Sequence, residues 1–140
     1  MPKMQKKVLL VDDDPDDQYL TQRALKATGL DLELCVAENG HDMMSLLKEN
    51  IKANGTSLPD LILLDLNMPE MDGISALQEL RKLPVMKKIP VVVFSTSNST
   101  LDVSESYDQG ADFFLTKPGD FAELTQKIGE LCKHWFSDIR

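Results

Sequence analysis

Four short apolar runs, each followed at once by polar or charged side chains, most limit how this chain can fold. Runs this short, bounded by turn residues, are typical of buried strands in a parallel sheet. The four runs are residues 8–11, 61–64, 91–94 and 113–116. With residues 32–37 as a further strand and helical patterns in between, they predict an α/β protein with a doubly wound, five-stranded parallel sheet covered on both faces.

The residues that close these runs carry the chemistry. Asp12 and Asp13 follow the first run, Asp65 the second, Ser95 the third and Lys117 the fourth. The carboxyl ends of parallel strands meet at one edge of a sheet, where open α/β folds bind their ligands. Three carboxylates, a hydroxyl and an ammonium group at that edge predict a site for a divalent cation and a phosphoryl group.

The first helix is expected to begin at Asp14. Aspartate is a good N-cap, Pro15 suits the first helical position, and the acids Asp16 and Asp17 suit the first turn. This assigns Asp14 to capping and leaves Asp12 and Asp13 for the cation. Helix four has only a sparse inward stripe, for which Val103 and Tyr107 are the candidates.

Helix five has the clearest helical pattern. Asp120 and Glu123 have the spacing of a capping box. Apolar residues then recur at helical intervals, at Phe121, Leu124, Ile128, Leu131 and Trp135. Trp135 and Phe136 have two interpretations, either closing the bottom of the core or forming an apolar patch for a homodimer.

Composition narrows the class of protein further. A chain of 140 residues suits a single domain, and no composition shift or repeat suggests a second one. The formal net charge of −8 argues against DNA or RNA as a partner. The two cysteines have no metal-ligand spacing, no apolar stretch is long enough for a bilayer, and the polar N-terminus has no signal-peptide pattern, which together predict a cytoplasmic protein.

The segment from Asp65 to Gly73, which reads DLNMPEMDG, adds specificity to the four strand ends. With the acidic pair, Ser95 and the Lys117-Pro118 dipeptide in order, the chain closely resembles the CheY-like receiver domain of bacterial two-component response regulators. The resemblance runs from about Val8 to Trp135. It implies a flavodoxin-like (βα)5 fold with strand order 2-1-3-4-5.

The resemblance also implies residue roles. Asp65 would accept a phosphoryl group from a sensor histidine kinase or a small phosphodonor in a Mg²⁺-dependent reaction, with self-catalysed phosphorylation and dephosphorylation as the only enzymatic activity. Asp13, Asp65 and the carbonyl of Asn67 would ligate Mg²⁺, with Asp12 acting through water. Lys117 would pair with Asp65 and then hold the phosphoryl group. A cis peptide bond is implied before Pro118.

Output would follow from a switch in which Ser95 moves toward the phosphoryl group and Phe114 takes the vacated space; Phe114 as an ordinary core residue is the alternative. The face made of helix four, strand five and helix five would then dock a partner. We expect residues 1–140 to form a single receiver domain, with a core of about 6–136 and no output domain. Its partners would be the kinase and a histidine phosphotransfer protein or other docking target.

Two other functions deserve comparison. A Mg²⁺-dependent phosphatase of the haloacid dehalogenase type uses a second acid, two residues after the nucleophilic aspartate, as its general acid and base. This chain has Asn67 at that position, and an asparagine side chain cannot act as an acid or a base. A receiver that only docks, without phosphorylation, is the other alternative, although all the expected site residues are present.

Overall fold

Five parallel strands and five α-helices alternate along the part of the chain that the structure describes. The computed structural model describes residues 5–52, 58–66, 68, 73–96 and 99–136. The strands are β1 (Lys6–Val11), β2 (Leu32–Ala37), β3 (Leu61–Leu64), β4 (Val91–Ser95) and β5 (Phe113–Thr116). The helices are α1 (Pro15–Lys26), α2 (Gly40–Lys52), α3 (Gly73–Arg81), α4 (Thr100–Asp108) and α5 (Phe121–Trp135), with a 3₁₀ turn at Pro84–Met86. The strand order is β2-β1-β3-β4-β5, which confirms the predicted topology.

The sheet separates two hydrophobic layers because successive side chains of a strand point to opposite faces. In β3, Ile62 and Leu64 belong to one layer, while Leu61 and Leu63 belong to the other. The first layer also contains Met43 and Leu47 of α2 and residues of α3, and the second contains residues of α1 and α5. All four residues of β3 are fully buried, as expected of a central parallel strand.

The helix boundaries follow the capping residues. The side chain of Asp14 accepts a hydrogen bond from the backbone N–H of Asp16, and the side chain of Asp120 accepts one from Glu123. Both N-caps were predicted from the sequence. In the described part of the chain, no helix is both long and apolar enough to cross a membrane.

Two aromatic residues from the apolar patterns of helices four and five lie at the surface. Tyr107 of α4 is 44% exposed, and the inward position is taken by Ser106, whose hydroxyl donates to the carbonyl of Asp102. Phe121 is 40% exposed at the start of α5, where its ring lies under the guanidinium of Arg23. The short side chain of Ser106 is fully buried where α4 packs against the rest of the domain. At Phe121, the cation–π contact with Arg23 partly covers the ring.

At the end of α5, Phe136 is 2% exposed and joins the core layer formed with α1. Trp135 is half-buried against the same layer. Closing the core is therefore the role that the structure gives to Phe136.

Candidate functional site

The backbone ladder of the sheet holds three of the site residues in place. The N–H of Asp12 donates to the carbonyl of Ala37, and that of Asp65 donates to the carbonyl of Val11, both at 3.0 Å. The N–H of Lys117 donates to the carbonyl of Ser95 at 2.7 Å. Each residue thus extends the hydrogen bonding of its strand by one step, which brings the predicted side chains to the same edge of the sheet.

Three carboxylates meet at that edge. One oxygen each of Asp12, Asp13 and Asp65 lies within 4.8 Å of the others. Asp12 and Asp65 are buried, whereas Asp13 is exposed. At such a separation, two like charges repel by about 3 kcal/mol at an effective dielectric constant near 20. Oxygen donors this close together fit a divalent cation, which would replace the repulsion by attraction.

Asp12 is held in place through both of its carboxylate oxygens. One of its carboxylate oxygens accepts the backbone N–H of Asp14 at 3.0 Å, and the other accepts Lys117 Nζ at 2.7 Å. Its carbonyl accepts the side-chain amide of Gln18 at 2.6 Å. A carboxylate that is fully buried needs such partners, and here the backbone of the N-cap residue Asp14 and the side chain of Lys117 supply them.

Lys117 brings a positive charge to the site, and two carboxylates lie closer to it than the expected partner, Asp65. Its Nζ lies 2.7 Å from Asp12, 3.0 Å from Asp17 and 3.9 Å from Asp65. The predicted pairing with Asp65 is therefore only a long ion pair, whereas Asp12 and Asp17 are hydrogen-bonded. The ring of Phe94 lies 5.5 Å below the ammonium group and further limits its position.

Burial of Lys117 acts to lower its pKa, since the charged form loses water. The hydrogen bond to Asp12 and the charges of Asp65 and Asp12 act in the opposite direction, and so does the hydrogen bond to Asp17. The net result is a pKa raised above the ordinary lysine value. Lys117 is therefore a permanent positive charge beside the three carboxylates at neutral pH.

Asp17 is a site residue that sequence reasoning missed. It had been interpreted only as an acid in the first turn of α1. Its partner lies 100 residues further along the chain. No local pattern reports a contact between residues so far apart, and it is the packing of α1 against α5, the helix that follows Lys117, that brings the two together.

Gly73, the first residue of α3, lies against the backbone of Asp65. A Cβ atom at this position would come within 2.5 Å of the Asp65 carbonyl oxygen and of Leu66 Cα. Any side chain would therefore push α3 away from the acceptor strand or shift Asp65 itself. The glycine that ends the DLNMPEMDG segment is required by this close approach.

The predicted switch residues lie on β4 and β5. Ser95 is fully buried at the end of β4. Phe114 is partly buried against the layer that contains α2 and α3, and its backbone N–H donates to the hydroxyl of Tyr107 at 3.1 Å. Asn67, the remaining predicted metal ligand, lies outside the described residues.

The peptide bond before Pro118 is trans, like every peptide bond in the described ranges. The cis bond implied by the resemblance is therefore wrong for this structure. Trans is the intrinsically favoured isomer before proline, and the trans bond still allows Lys117 to reach the carboxylates.

The chain belongs to the response regulator receiver domain family, whose model matches residues 8–129. It is 35% identical to response regulator Rcp1 of Synechocystis sp. over 134 residues, which cover 96% of this chain and 91% of Rcp1. The crystal structure of the phosphorylated cyanobacterial phytochrome response regulator RcpA is similar, with a TM-score of 0.86 and 36% identity over 96% of each chain. The Mn²⁺-bound form of Rcp1 has a TM-score of 0.83 and 35% identity, covering 96% of this chain and 97% of that one.

Family membership places the chain in two-component phosphorelay signalling, where receiver domains are switches regulated by histidine kinases. A flavodoxin-like sheet with an acidic cluster at its carboxyl edge fits that class, and neither the phosphatase nor the unphosphorylated docking module is favoured. The acidic cluster is suited to a divalent metal, as the Mn²⁺-bound relative also indicates.

Proposed function

We propose that Asp65 is the residue that accepts the phosphoryl group. The observation that supports this most directly is the position of its carboxylate, buried at the carboxyl end of the central strand and 3.9 Å from the ammonium group of Lys117. Asp12 is less suited to act as the nucleophile because both of its oxygens already accept hydrogen bonds. Asp13 is exposed and lies on the outer side of the cluster.

Mg²⁺ is the metal we assign to the acidic cluster, with Asp13, Asp65 and the carbonyl of Asn67 as ligands and Asp12 acting through water. The hydrogen-bonded state of Asp12 supports this indirect role. When bound, the ion would neutralise the carboxylates and stabilise negative charge on the phosphoryl oxygens. Lys117 would hold a phosphoryl oxygen from the opposite side, and Ser95 would donate its hydroxyl to another.

The phosphodonor would be a sensor histidine kinase in the cytoplasm or a small acyl phosphate. Self-catalysed phosphorylation and dephosphorylation would then be the only reactions of the protein. We further propose that it acts as a stand-alone receiver, which the match over 91% of Rcp1 supports. Its output would be docking to a protein target or relay to a histidine phosphotransfer protein.

Ser95 and Phe114 would transmit the signal to the face formed by α4, β5 and α5. Phe114 is held at its backbone by the hydroxyl of Tyr107, which links β5 directly to α4. A groove of about 780 Å³ runs along the same side of the molecule and is lined partly by Phe113, Leu115 and Trp135. This groove would bind a docking partner, or a second copy of the chain as a homodimer.

The acceptor is tested by incubating the protein with acetyl phosphate and Mg²⁺ and measuring its intact mass. The wild type should gain about 80 Da, the mass of one phosphoryl group, and Asp65→Asn should not. Asp60→Asn is a matched control, because Asp60 precedes the same strand at its opposite end and accepts a backbone hydrogen bond that asparagine can also accept. Full labelling of Asp65→Asn would refute the assignment.

A further inference from the structure

Lys117 already donates hydrogen bonds to two carboxylates, and neither of them is the proposed acceptor. Its ammonium group has three N–H donors, two of which are used by Asp12 and Asp17. The 3.9 Å distance to Asp65 is too long for a hydrogen bond. The ammonium group is thus drawn toward α1 and away from the proposed acceptor.

Breaking the hydrogen bond from Lys117 would cost more free energy at Asp12 than at Asp17. Asp12 is fully buried, so losing the lysine would leave a carboxylate without its counter-charge in the interior, which is strongly unfavourable. The side chain of Asp17 is 34% exposed, and water can solvate it as soon as the lysine leaves. When Nζ moves toward Asp65, Asp17 is the partner that can be given up.

We propose that Asp17 is a positioning residue that holds Lys117 away from the phosphoryl site and so slows phosphorylation of Asp65. This inference rests on the function proposed for Asp65 and adds a residue that restrains the same reaction. The contact of Asp17 that carries this role is its hydrogen bond to Lys117. Asp17 acts only by competing with the incoming phosphoryl oxygens for the ammonium group.

The transfer step shows why this competition matters. A carboxylate oxygen of Asp65 forms a bond to phosphorus, the bond from phosphorus to the bridging oxygen of acetyl phosphate breaks, and acetate leaves with that electron pair. Negative charge is carried by the transferring phosphoryl group throughout. Lys117 offsets this charge more strongly once its ammonium group has moved from Asp17 toward Asp65, because the attraction grows as the distance falls.

The test compares phosphorylation rates at saturating Mg²⁺, followed by intact mass with acetyl phosphate as the donor. Asp17→Asn should be about three- to fivefold faster than wild type, the upper range for a partly exposed ion pair. Asp16→Asn is the matched control, because Asp16 lies in the same first turn and carries the same charge but is exposed. Its rate should stay within about twofold of wild type, since only screened long-range charge is removed.

A conservative variant and a second readout separate competition from a structural effect. Asp17→Glu keeps the charge and has solvent-exposed room for one more methylene, so its rate should remain near that of wild type. Beryllofluoride, which occupies the phosphoryl position without a reaction, should bind Asp17→Asn about three- to fivefold more tightly than wild type or Asp16→Asn.

The inference is overturned if Asp17→Asn is slower than wild type, if it is no faster than Asp16→Asn, or if Asp17→Glu is as fast as Asp17→Asn. In each of these cases, a wild-type protein that still gains the mass of a phosphoryl group would leave the proposed function of Asp65 intact. A wild-type protein that gains no mass and binds no beryllofluoride would overturn both.

Discussion

Replacing Lys117 by methionine should destabilise the metal-free protein by about 3–4 kcal/mol at pH 7, in the range for breaking a buried ion pair. Methionine keeps an unbranched side chain of similar length, so the change removes mainly the charge. The lysine side chain is only 9% exposed, and that of Asp12 only 1%. The variant would therefore leave the buried carboxylate of Asp12 beside other carboxylates without its lysine counter-charge.

The magnitude follows from the distances and from a limit set by protonation. At an effective dielectric constant near 20, the attraction is about 6 kcal/mol at 2.7 Å and about 4 kcal/mol at 3.9 Å. Desolvation cancels much of this attraction. In addition, protonating a carboxyl group with an ordinary pKa near 3.9 costs about 4 kcal/mol at pH 7. The variant cannot lose more stability than this, because one carboxylate would otherwise bind a proton.

This limit makes the loss depend on pH. In the variant, one carboxyl of the cluster would stay protonated when folded and ionise when unfolded, so its stability falls as pH rises above about 4. The difference in unfolding free energy between the variant and the wild type should shrink to about 1.5 kcal/mol at pH 5. Protonating a carboxylate costs about 1.4 kcal/mol for each pH unit above its ordinary pKa near 3.9, and pH 5 is only about one unit above it. In the wild type, the raised pKa of Lys117 means that its contribution persists at neutral pH and is lost only as pH rises through that pKa.

Urea unfolding in EDTA, followed by circular dichroism, measures the difference. A loss of 3–4 kcal/mol should lower the midpoint by roughly 2 M urea for a domain of this size. Lys82→Met is the matched control, because Lys82 pairs with Glu79 at the same 2.7 Å distance but both side chains are exposed. That pair should contribute less than about 1 kcal/mol. Equal losses in the two variants, or a Lys117→Met loss that grows toward pH 5, would refute the electrostatic explanation.

The sequence predicted the fold and the edge where the site lies, because both depend on short-range patterns. The apolar run ending at Asp65 contains four residues that are all buried, and a strand of this kind has few alternatives to a central parallel position. Once the strands are parallel and in register, their closing residues must meet. The ladder bonds of Asp12, Asp65 and Lys117 show this geometry directly.

The partners within the site could not be predicted in the same way. Several acids lie within a few ångströms of Lys117, and the choice among them depends on how α1 packs against α5, the helix that follows Lys117. The sequence predicted the ion pair of Lys117 with Asp65, which is present at 3.9 Å, but it did not predict the shorter contacts with Asp12 and Asp17. In α4, a stripe of only two apolar residues was too sparse to fix the helix rotation, so Tyr107 was wrongly placed in the core.

Two further predictions concern the metal and the cysteines. Mg²⁺ at about ten times its Kd should stabilise the wild type by about 1.4 kcal/mol, or roughly 3–6 °C in Tm, and should not stabilise Asp13→Asn. The control Asp14→Asn keeps a capping side chain and should show the same Tm shift as the wild type. If Asp13→Asn shows the wild-type shift as well, the ion binds elsewhere. Burial raises the pKa of the Cys132 thiol to about 11, so at pH 8 this thiol is almost entirely protonated and shielded from reagents. Iodoacetamide should therefore modify the partly exposed Cys35 first and reach Cys132 only through unfolding, which mass spectrometry of Cys35→Ala and Cys132→Ala can separate. Because the unfolded thiol ionises at a lower pH than the folded one, Cys132 also lowers the stability of the wild type as pH rises from about 8.5 toward 11, and Cys132→Ala should lack this part of the alkaline loss. Rapid modification of Cys132 in the folded protein would show that the end of α5 opens far more easily than its packing implies.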